Sequence, residues 1–165
     1  MESFDQVAEP RMQARELFEQ AFERQRNREF DSALELYQES IRIHASAEAY
    51  TFMGWTYSFL GDYEKAIRSC HKAIEVDPDL GNPYNDIGAY LIEMGRFEDA
   101  IIWLKKATRA PRYSCHHYPW YNLGKVFELL GRTQRAKECY ARSVRANKSY
   151  PLAVRALMRV LSQLN

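Results

Sequence analysis

Cys115, His116 and His117 are the one place in this 165-residue sequence where three cysteine and histidine residues stand in a run. Such side chains could begin a zinc site. A zinc ion, however, needs three or four ligands converging on it, and neighbours in a chain rarely all point inward. No second Cys/His cluster completes the set. A cysteine nucleophile with a histidine base would need an orienting acid and an oxyanion donor, and no such arrangement is apparent. Cys70 and Cys139 fall at positions expected to face a core, where thiols are inert. His44 and His71 read as partly exposed helix residues. The sequence holds no phosphate-binding glycine loop, Walker motif or metalloprotease motif. The reading is therefore of no catalytic residue, no metal and no cofactor.

The chemistry that remains is recognition, carried by the aromatic and amide side chains. Sorting them requires the elements that hold them, and these repeat. Gly61-Asp62-Tyr63-Glu64-Lys65-Ala66-Ile67 recurs as Gly95-Arg96-Phe97-Glu98-Asp99-Ala100-Ile101, and more weakly as Gly131-Arg132-Thr133-Gln134-Arg135-Ala136. Ala66, Ala100 and Ala136 are 34 and 36 residues apart, and a further repeat centres on Ala33. Gly54, Gly88 and Gly124 each precede the turn glycine by seven residues. Apolar residues between these markers keep a helical spacing: Phe52, Met53, Tyr57 and Leu60, then Ala66, Ile67, Cys70, Ala73 and Ile74. Each repeat thus predicts two helices around a short turn. Gly61, Gly95 and Gly131 end the first helix of each pair. Pro78 and Pro111 follow a second helix, while Pro83 and Pro119 sit near the start of a first one. Each mid-helix glycine costs about 1 kcal/mol against alanine. Close approach of the paired helices explains them.

At this point the pattern resembles the tetratricopeptide repeat, Trp-x2-Leu-Gly-x2-Tyr, then Ala-x3-Phe, then Pro. The fourth repeat reads Trp120, Leu123, Gly124, Phe127, Ala136, Tyr140. The second reads Tyr50, Met53, Gly54, Tyr57, Ala66, Cys70, Pro78. The third reads Tyr84, Ile87, Gly88, Leu91, Ala100, Leu104. The first is degenerate, with Leu17, Gln20, Ala21, Arg24, Ala33 and Tyr37, and its first helix fits poorly. The resemblance implies an all-α, right-handed superhelical solenoid of about four helix pairs. The expected organisation is a frayed or disordered tail over 1–13 and a repeat domain over 14–150, with repeats at about 14–46, 47–80, 81–116 and 117–150. A capping helix follows over 151–165, started by Pro151, with Leu157, Val160, Leu161 and Leu164 on one side. The third linkage is longer than the others by two residues, which makes Ala110–His117 the expected place for a local departure.

In this family the first helices line a concave groove. The resemblance places there Glu48, Thr51, Trp55 and Ser58 from the second repeat, and Asn82, Asn85, Ala89 and Ile92 from the third. Tyr118, Tyr121, Lys125 and Glu128 come from the fourth, and Phe18 and Phe22 from the first. The expected partner-binding residues are Phe18, Phe22 and Trp55 as an apolar patch, and Asn82, Asn85 and Asp86 as hydrogen-bonding groups. Tyr118, Tyr121, Asn122 and Lys125 close the set. Such a surface suits an extended peptide or an amphipathic helix of another protein. A subgroup of the family grips chaperone tails with a clamp of Lys, two Asn, Lys and Arg. The corresponding slots here hold Phe18, Phe22, Phe52, Asn82 and Asp86, or Thr51, Trp55, Asp86, Tyr118 and Asn122. Neither set is a clamp.

Bulk composition sets outer limits. The net charge of +1 argues against wholesale nucleic-acid binding, and no apolar run suggests membrane insertion. Three cysteines without paired spacing suit a reducing, cytoplasmic setting. The charge is unevenly spread. Residues 1–40 carry ten acids and five bases, whereas residues 131–165 carry one acid and eight bases. The alternative to a peptide-binding scaffold is therefore a self-assembling module, a weak homo-oligomer joined through its acidic beginning and basic end.

Overall fold

A computed structural model describes residues 4–164, with side chains from residue 9 onward. The described residues form nine α-helices: α1 Phe4–Arg26, α2 Phe30–Ile43, α3 Ala47–Phe59, α4 Tyr63–Val76, α5 Asn82–Glu93, α6 Phe97–Ala107, α7 His117–Leu129, α8 Thr133–Ala146 and α9 Pro151–Leu164. No strand occurs among them. The chain divides into two compact units, Met1–Pro78 and Asp79–Asn165.

In the amino-terminal unit α1 pairs with α2 and α3 with α4, and α2 packs against α3. The core is built on Ala21, Ala33 and Tyr37, all fully buried, with Phe18, Leu36, Phe52 and Met53 packed around them. The Tyr37 hydroxyl donates to Gln25 Oε1 at 2.8 Å, and Thr56 Oγ1 donates to the same oxygen at 3.1 Å. Buried hydroxyls of this kind must find an acceptor. Ser46 and Asp62 cap α3 and α4 by accepting from the backbone amides of Ala49 and Lys65, each worth about 1 kcal/mol.

The turn between α1 and α2 settles the register of the degenerate first repeat. Gly61, Gly95 and Gly131 all take positive φ, 77°, 73° and 68°, and Arg28 takes the same conformation at φ 65°. Arg28 precedes Ala33 by the five residues that separate Gly61 from Ala66. Ala21, with no exposed surface, then occupies the slot that Gly54 holds in the second repeat.

The frayed tail expected over residues 1–13 differs from the structure: α1 extends back to Phe4 and runs through Pro10. Residues 1–3 lie outside the described residues. Ala14 is buried, and its carbonyl accepts from Ser40 Oγ at 2.6 Å. A helix anchored there propagates backward at much lower cost than it would nucleate.

In the carboxy-terminal unit α5 pairs with α6 and α7 with α8, α6 and α5 both contact α7, and α9 packs on α8. Ile87, Leu104, Leu123, Val126, Tyr140 and Val160 are completely buried. The mid-helix glycines face these side chains. A Cβ on Gly88 would lie 2.5 Å from Leu104 and one on Gly124 2.4 Å from the Tyr140 ring. Any larger residue overpacks the helix pair, at about 1–3 kcal/mol or more.

The longer third linkage departs from helical stacking as expected. Arg112 N–H donates to the Asp79 carbonyl at 3.0 Å and Gly81 N–H to the Arg112 carbonyl at 3.1 Å. This short parallel bridge between Leu80 and Arg112 seats the buried Tyr113 ring directly on Gly81, where a Cβ would come within 2.4 Å of it. The cap helix differs from its expected face. Ala153, Ala156 and Val160 are buried, whereas Leu161 and Leu164 are exposed. Two alanines let α9 lie close to α8, and the contact stripe shifts from the leucines to them.

Candidate functional site

Each unit presents its own set of first-helix side chains, and the two sets are chemically unlike. In the amino-terminal unit Phe18 lies inward, its ring 5.6 Å from Tyr37 and 5.2 Å from Phe52. It belongs mainly to the core edge. Phe22 and Trp55 do face solvent, 36% and 45% exposed. Phe52 joins them, edge-on to both at 5.4 and 5.5 Å. The aromatic set then continues to residues that the repeat pattern left out. Trp55 stacks on Phe59 at 6.2 Å and Phe59 on Phe30 at 5.4 Å, with Phe59 55% exposed. Phe59 closes α3 immediately before its turn, so its apolar character reads in sequence as a helix-end contact. Beside this strip a cleft of about 570 Å³ is lined by Arg11, Arg15, Phe18, Glu19, His44 and Glu48, among others.

In the carboxy-terminal unit the structure brings together three of the expected residues. Asn122 Nδ2 on α7 donates to Asn85 Oδ1 on α5 at 3.1 Å, and Asn85 Nδ2 donates to Asp86 Oδ1 at 3.3 Å. Asn85 is buried, and Asn82 stands apart on the exposed first turn of α5. Asp86 still touches solvent, yet it sits in enough protein that burial raises its carboxyl from the ordinary 3.8 to about 7, against the weaker opposing pull of the Asn85 hydrogen bond. Its charge in turn helps to raise the Tyr113 phenol, whose burial is the larger cause.

Tyr118 and Tyr121 are joined through Tyr150, which meets both edge-on at 5.4 Å. The backbone reason for Tyr150 is local, since Pro151 bars it from a helical conformation and leaves it in the link before α9. That position lies outside the first helices, so the repeat pattern does not mark it. Tyr121, Lys125, Glu128, Leu129, Tyr140 and Arg159 line a second cleft of about 350 Å³. Within it Arg159 holds Glu128 by two hydrogen bonds of 3.1 and 2.8 Å, and Tyr140 donates to Glu128 at 2.7 Å. The Arg159 hydrogen bonds keep the Glu128 carboxyl below its usual range.

The Cys115-His116-His117 run does not converge. His116 leans on Tyr113 at 5.4 Å, whereas His117 is buried against Tyr118 and Tyr150, and burial lowers its pKa. Among the described residues no three His, Cys, Asp or Glu side chains are placed to hold a metal ion. Burial pushes the Cys139 thiol up to about 11, which leaves it protonated at neutral pH. No helix among the described residues is long and apolar enough to cross a membrane.

Comparison with known proteins agrees with this architecture. The tetratricopeptide repeat profile matches residues 47–80, and a second profile of the same description matches 82–112 and 118–150. The photosystem I assembly protein Ycf3 of Prochlorococcus marinus is 28% identical over 141 residues, 78% of this chain and 82% of its own. The solved structure of PilF from Pseudomonas aeruginosa superposes with a TM-score of 0.85 at 22% identity, over 93% of this chain and 70% of that one. YrrB, described as a repeat protein with an unusual peptide-binding site, gives a TM-score of 0.70 at 15% identity over 87% of this chain and 73% of its own. The fold class is that of the all-α repeat solenoid. With the profiles covering more than half of its length and the helix pairs in register with them, the chain belongs to the tetratricopeptide repeat family.

Proposed function

We propose that this protein is a non-catalytic interaction scaffold that binds a polypeptide segment of a partner on the first-helix faces of its repeats. The observation that carries the reading is the aromatic strip of the amino-terminal unit, in which the exposed Phe22, Trp55 and Phe59 are joined through the half-buried Phe52. Single exposed apolar residues are ordinary, but a connected set of rings is the usual mark of a binding surface. Rigid aromatic rings bury large area at low entropic cost, which makes them the usual anchors of such contacts. The ligand class is an apolar-anchored peptide or helix rather than a chaperone tail, because the clamp slots hold Phe18, Phe22, Phe52, Asn82 and Asp86. The similarity to Ycf3 and PilF, the first described as an assembly protein and the second as a type IV pilus assembly protein, supports a role in bringing other proteins together. Three cysteines that form no disulfide among the described residues, two of them buried, support a reducing compartment such as the cytoplasm.

The test begins with a partner captured by the parent protein and identified by mass spectrometry. Its affinity is then measured by calorimetry for the parent and for Trp55→Ala, Tyr121→Ala and Lys72→Ala. Lys72 is an exposed control residue paired with Glu75. Trp55→Ala should weaken binding by about 2 kcal/mol or more, with Tyr121→Ala smaller and Lys72→Ala unchanged. Melting temperatures measured alongside separate loss of binding from loss of fold. Parent-like affinity in both groove variants would place the binding surface elsewhere.

A further inference from the structure

Three of the first helices cover the same slots in the same way. Gly54, Gly88 and Gly124 each turn towards the second helix of their own pair, onto Ala66 and Cys70, Leu104 and Tyr140. Ile87 and Leu123, one residue before the glycine, are buried, and so are Leu91 and Phe127, three residues after it. The helix α9 keeps this register. Met158 follows Gly124 by 34 residues, the spacing that separates Gly54 from Gly88. Leu157 and Leu161 then fall at the slots of Leu123 and Phe127, and Val154 at that of Trp120. The flank packed on α8 agrees, since Ala153 and Val160 are buried as Pro119 and Val126 are in α7.

By register and by packing α9 is thus a first helix, but among the described residues no second helix covers it. Met158 is 67% exposed and Leu161 43%, Leu164 is exposed too, and Leu157 is half-buried. Val154, Leu157, Met158 and Leu161 lie at i, i+3, i+4 and i+7, which places them on one stripe. An apolar stripe of that kind is the surface that a helix of another chain engages. Met158 limits which helix. A glycine at this slot admits the close second helix of a repeat. A methionine holds the incoming helix out at the ordinary axis separation of about 8–10 Å, and its flexible side chain adapts to the surface it meets.

Charge decides the rest. The helix α9 carries Arg155 and Arg159 and no acid, and residues 131–165 hold eight bases against one acid. Arg159 is tied to Glu128, whereas Arg155 is exposed with no acid beside it among the described residues. Two copies meeting on this stripe would set like charges face to face. A helix with acids beside its apolar anchors gains where a second copy loses.

We propose that the Val154–Leu157–Met158–Leu161 face of α9 is a docking site for an acidic amphipathic helix of a partner protein. The site uses none of the groove residues and does not rest on the groove reading.

The probe is a designed helical peptide of about four turns, with leucines at i, i+3, i+4 and i+7 and glutamates beside them. In a second peptide lysines replace the glutamates. The full chain, with carbon-13 in its five methionine methyl groups, is titrated with each, and Met158→Gln assigns the Met158 signal. That signal should move with the glutamate peptide, which should bind about tenfold more tightly than the lysine peptide at low salt. The difference should shrink in 1 M sodium chloride. Met158→Gln and Leu161→Gln should each weaken binding about tenfold. Ala153, Ala156 and Val160 still seat α9 in both variants, so their melting temperatures should stay close to the parent's. A Met158 signal that stays still at saturation, or an affinity that neither variant changes, overturns the proposal. Loss of binding in Trp55→Ala with Met158→Gln unaffected would put the peptide on the aromatic strip and overturns it too. Lysine peptide binding as tightly as glutamate peptide overturns the acidic assignment. A dimer in sedimentation that Met158→Gln dissociates would make a second copy the occupant, against the proposal.

Discussion

Gln25 and Glu128 stand at the same place in the first and fourth repeats, each twelve residues before a buried tyrosine whose hydroxyl it accepts. Their surroundings differ. In the amino-terminal unit Gln25 is buried, shared between Tyr37 and Thr56, and electrically neutral. In the carboxy-terminal unit Glu128 reaches a cleft and is neutralised by Arg159 from α9. One repeat geometry therefore accommodates a neutral, closed polar centre and a charged, open one. The difference follows the exposed faces: apolar rings on one unit, carboxylates, amides and phenols on the other. The backbone pattern fixes where the polar atom sits, and local burial decides whether it can be an ion.

The largest expected effect comes from moving the charge to the wrong unit. Gln25→Glu keeps the shape but places an acid in a buried site whose hydrogen-bond donors are the neutral Tyr37 and Thr56 hydroxyls. At pH 8 it should cost about 3 kcal/mol of unfolding free energy, and less at pH 4.5, where the carboxyl can stay protonated. Urea unfolding at the two pH values measures it. A cost of the same size at both would show that volume rather than charge is the problem.

The converse change should stabilise. Asp86 binds its proton more tightly in the folded chain, with its carboxyl raised from 3.8 to about 7. Its favourable contribution is thus complete below pH 3.8 and is lost as pH rises through about 7. Asp86→Asn should match the parent near pH 4 and exceed it by about 2 kcal/mol at pH 8, a figure reduced from the full shift because the side chain keeps some solvent. A stability difference that does not grow between these limits contradicts the burial of the carboxylate.

Glu128 runs the opposite way. Arg159 holds its carboxyl below the ordinary 4.5, so its contribution is present above that value and fades as the pH falls through the lowered one. Glu128→Gln, which leaves an acceptor for Tyr140, should cost about 1 kcal/mol at low salt and shrink in 1 M sodium chloride. Insensitivity to salt would mean that the pair adds nothing beyond its geometry.

The repeat periodicity made the helix pairs legible because glycine and alanine are forced wherever two backbones meet, as at Gly88 against Leu104 and Gly124 against Tyr140. The pairing of Asn85 with Asn122 was legible only as two groove positions. Their hydrogen bond depends on how α5 and α7 meet, which no local pattern encodes. Phe59, Phe30 and Tyr150 carry no signal in the repeat pattern because they lie at element ends, outside the repeating first-helix positions. The backward extension of α1 is hidden in the sequence for another reason: Pro10 is a helix breaker by local preference, and packing at Ala14 overrides it.

The smallest effect concerns the turns, where the two units can be compared on backbone conformation alone. Arg28 and Gly131 share a left-handed φ, 65° and 68°, a conformation that costs a residue with a Cβ about 1–2 kcal/mol. Glycine escapes that cost but gives part of the gain back through the greater freedom of its unfolded chain. Arg28→Gly should therefore stabilise the amino-terminal unit by about 0.5–1 kcal/mol. Arg28→Ala, which removes the same charge but keeps the strain, should not stabilise it. In the other unit a Cβ on Gly131 would meet nothing within 4 Å, so Gly131→Ala isolates the conformational term and should destabilise by about 1 kcal/mol. Denaturant midpoints for the three variants decide the matter. If Arg28→Ala stabilises as much as Arg28→Gly, charge rather than backbone strain governs the first turn, and the equivalence of the two turns fails.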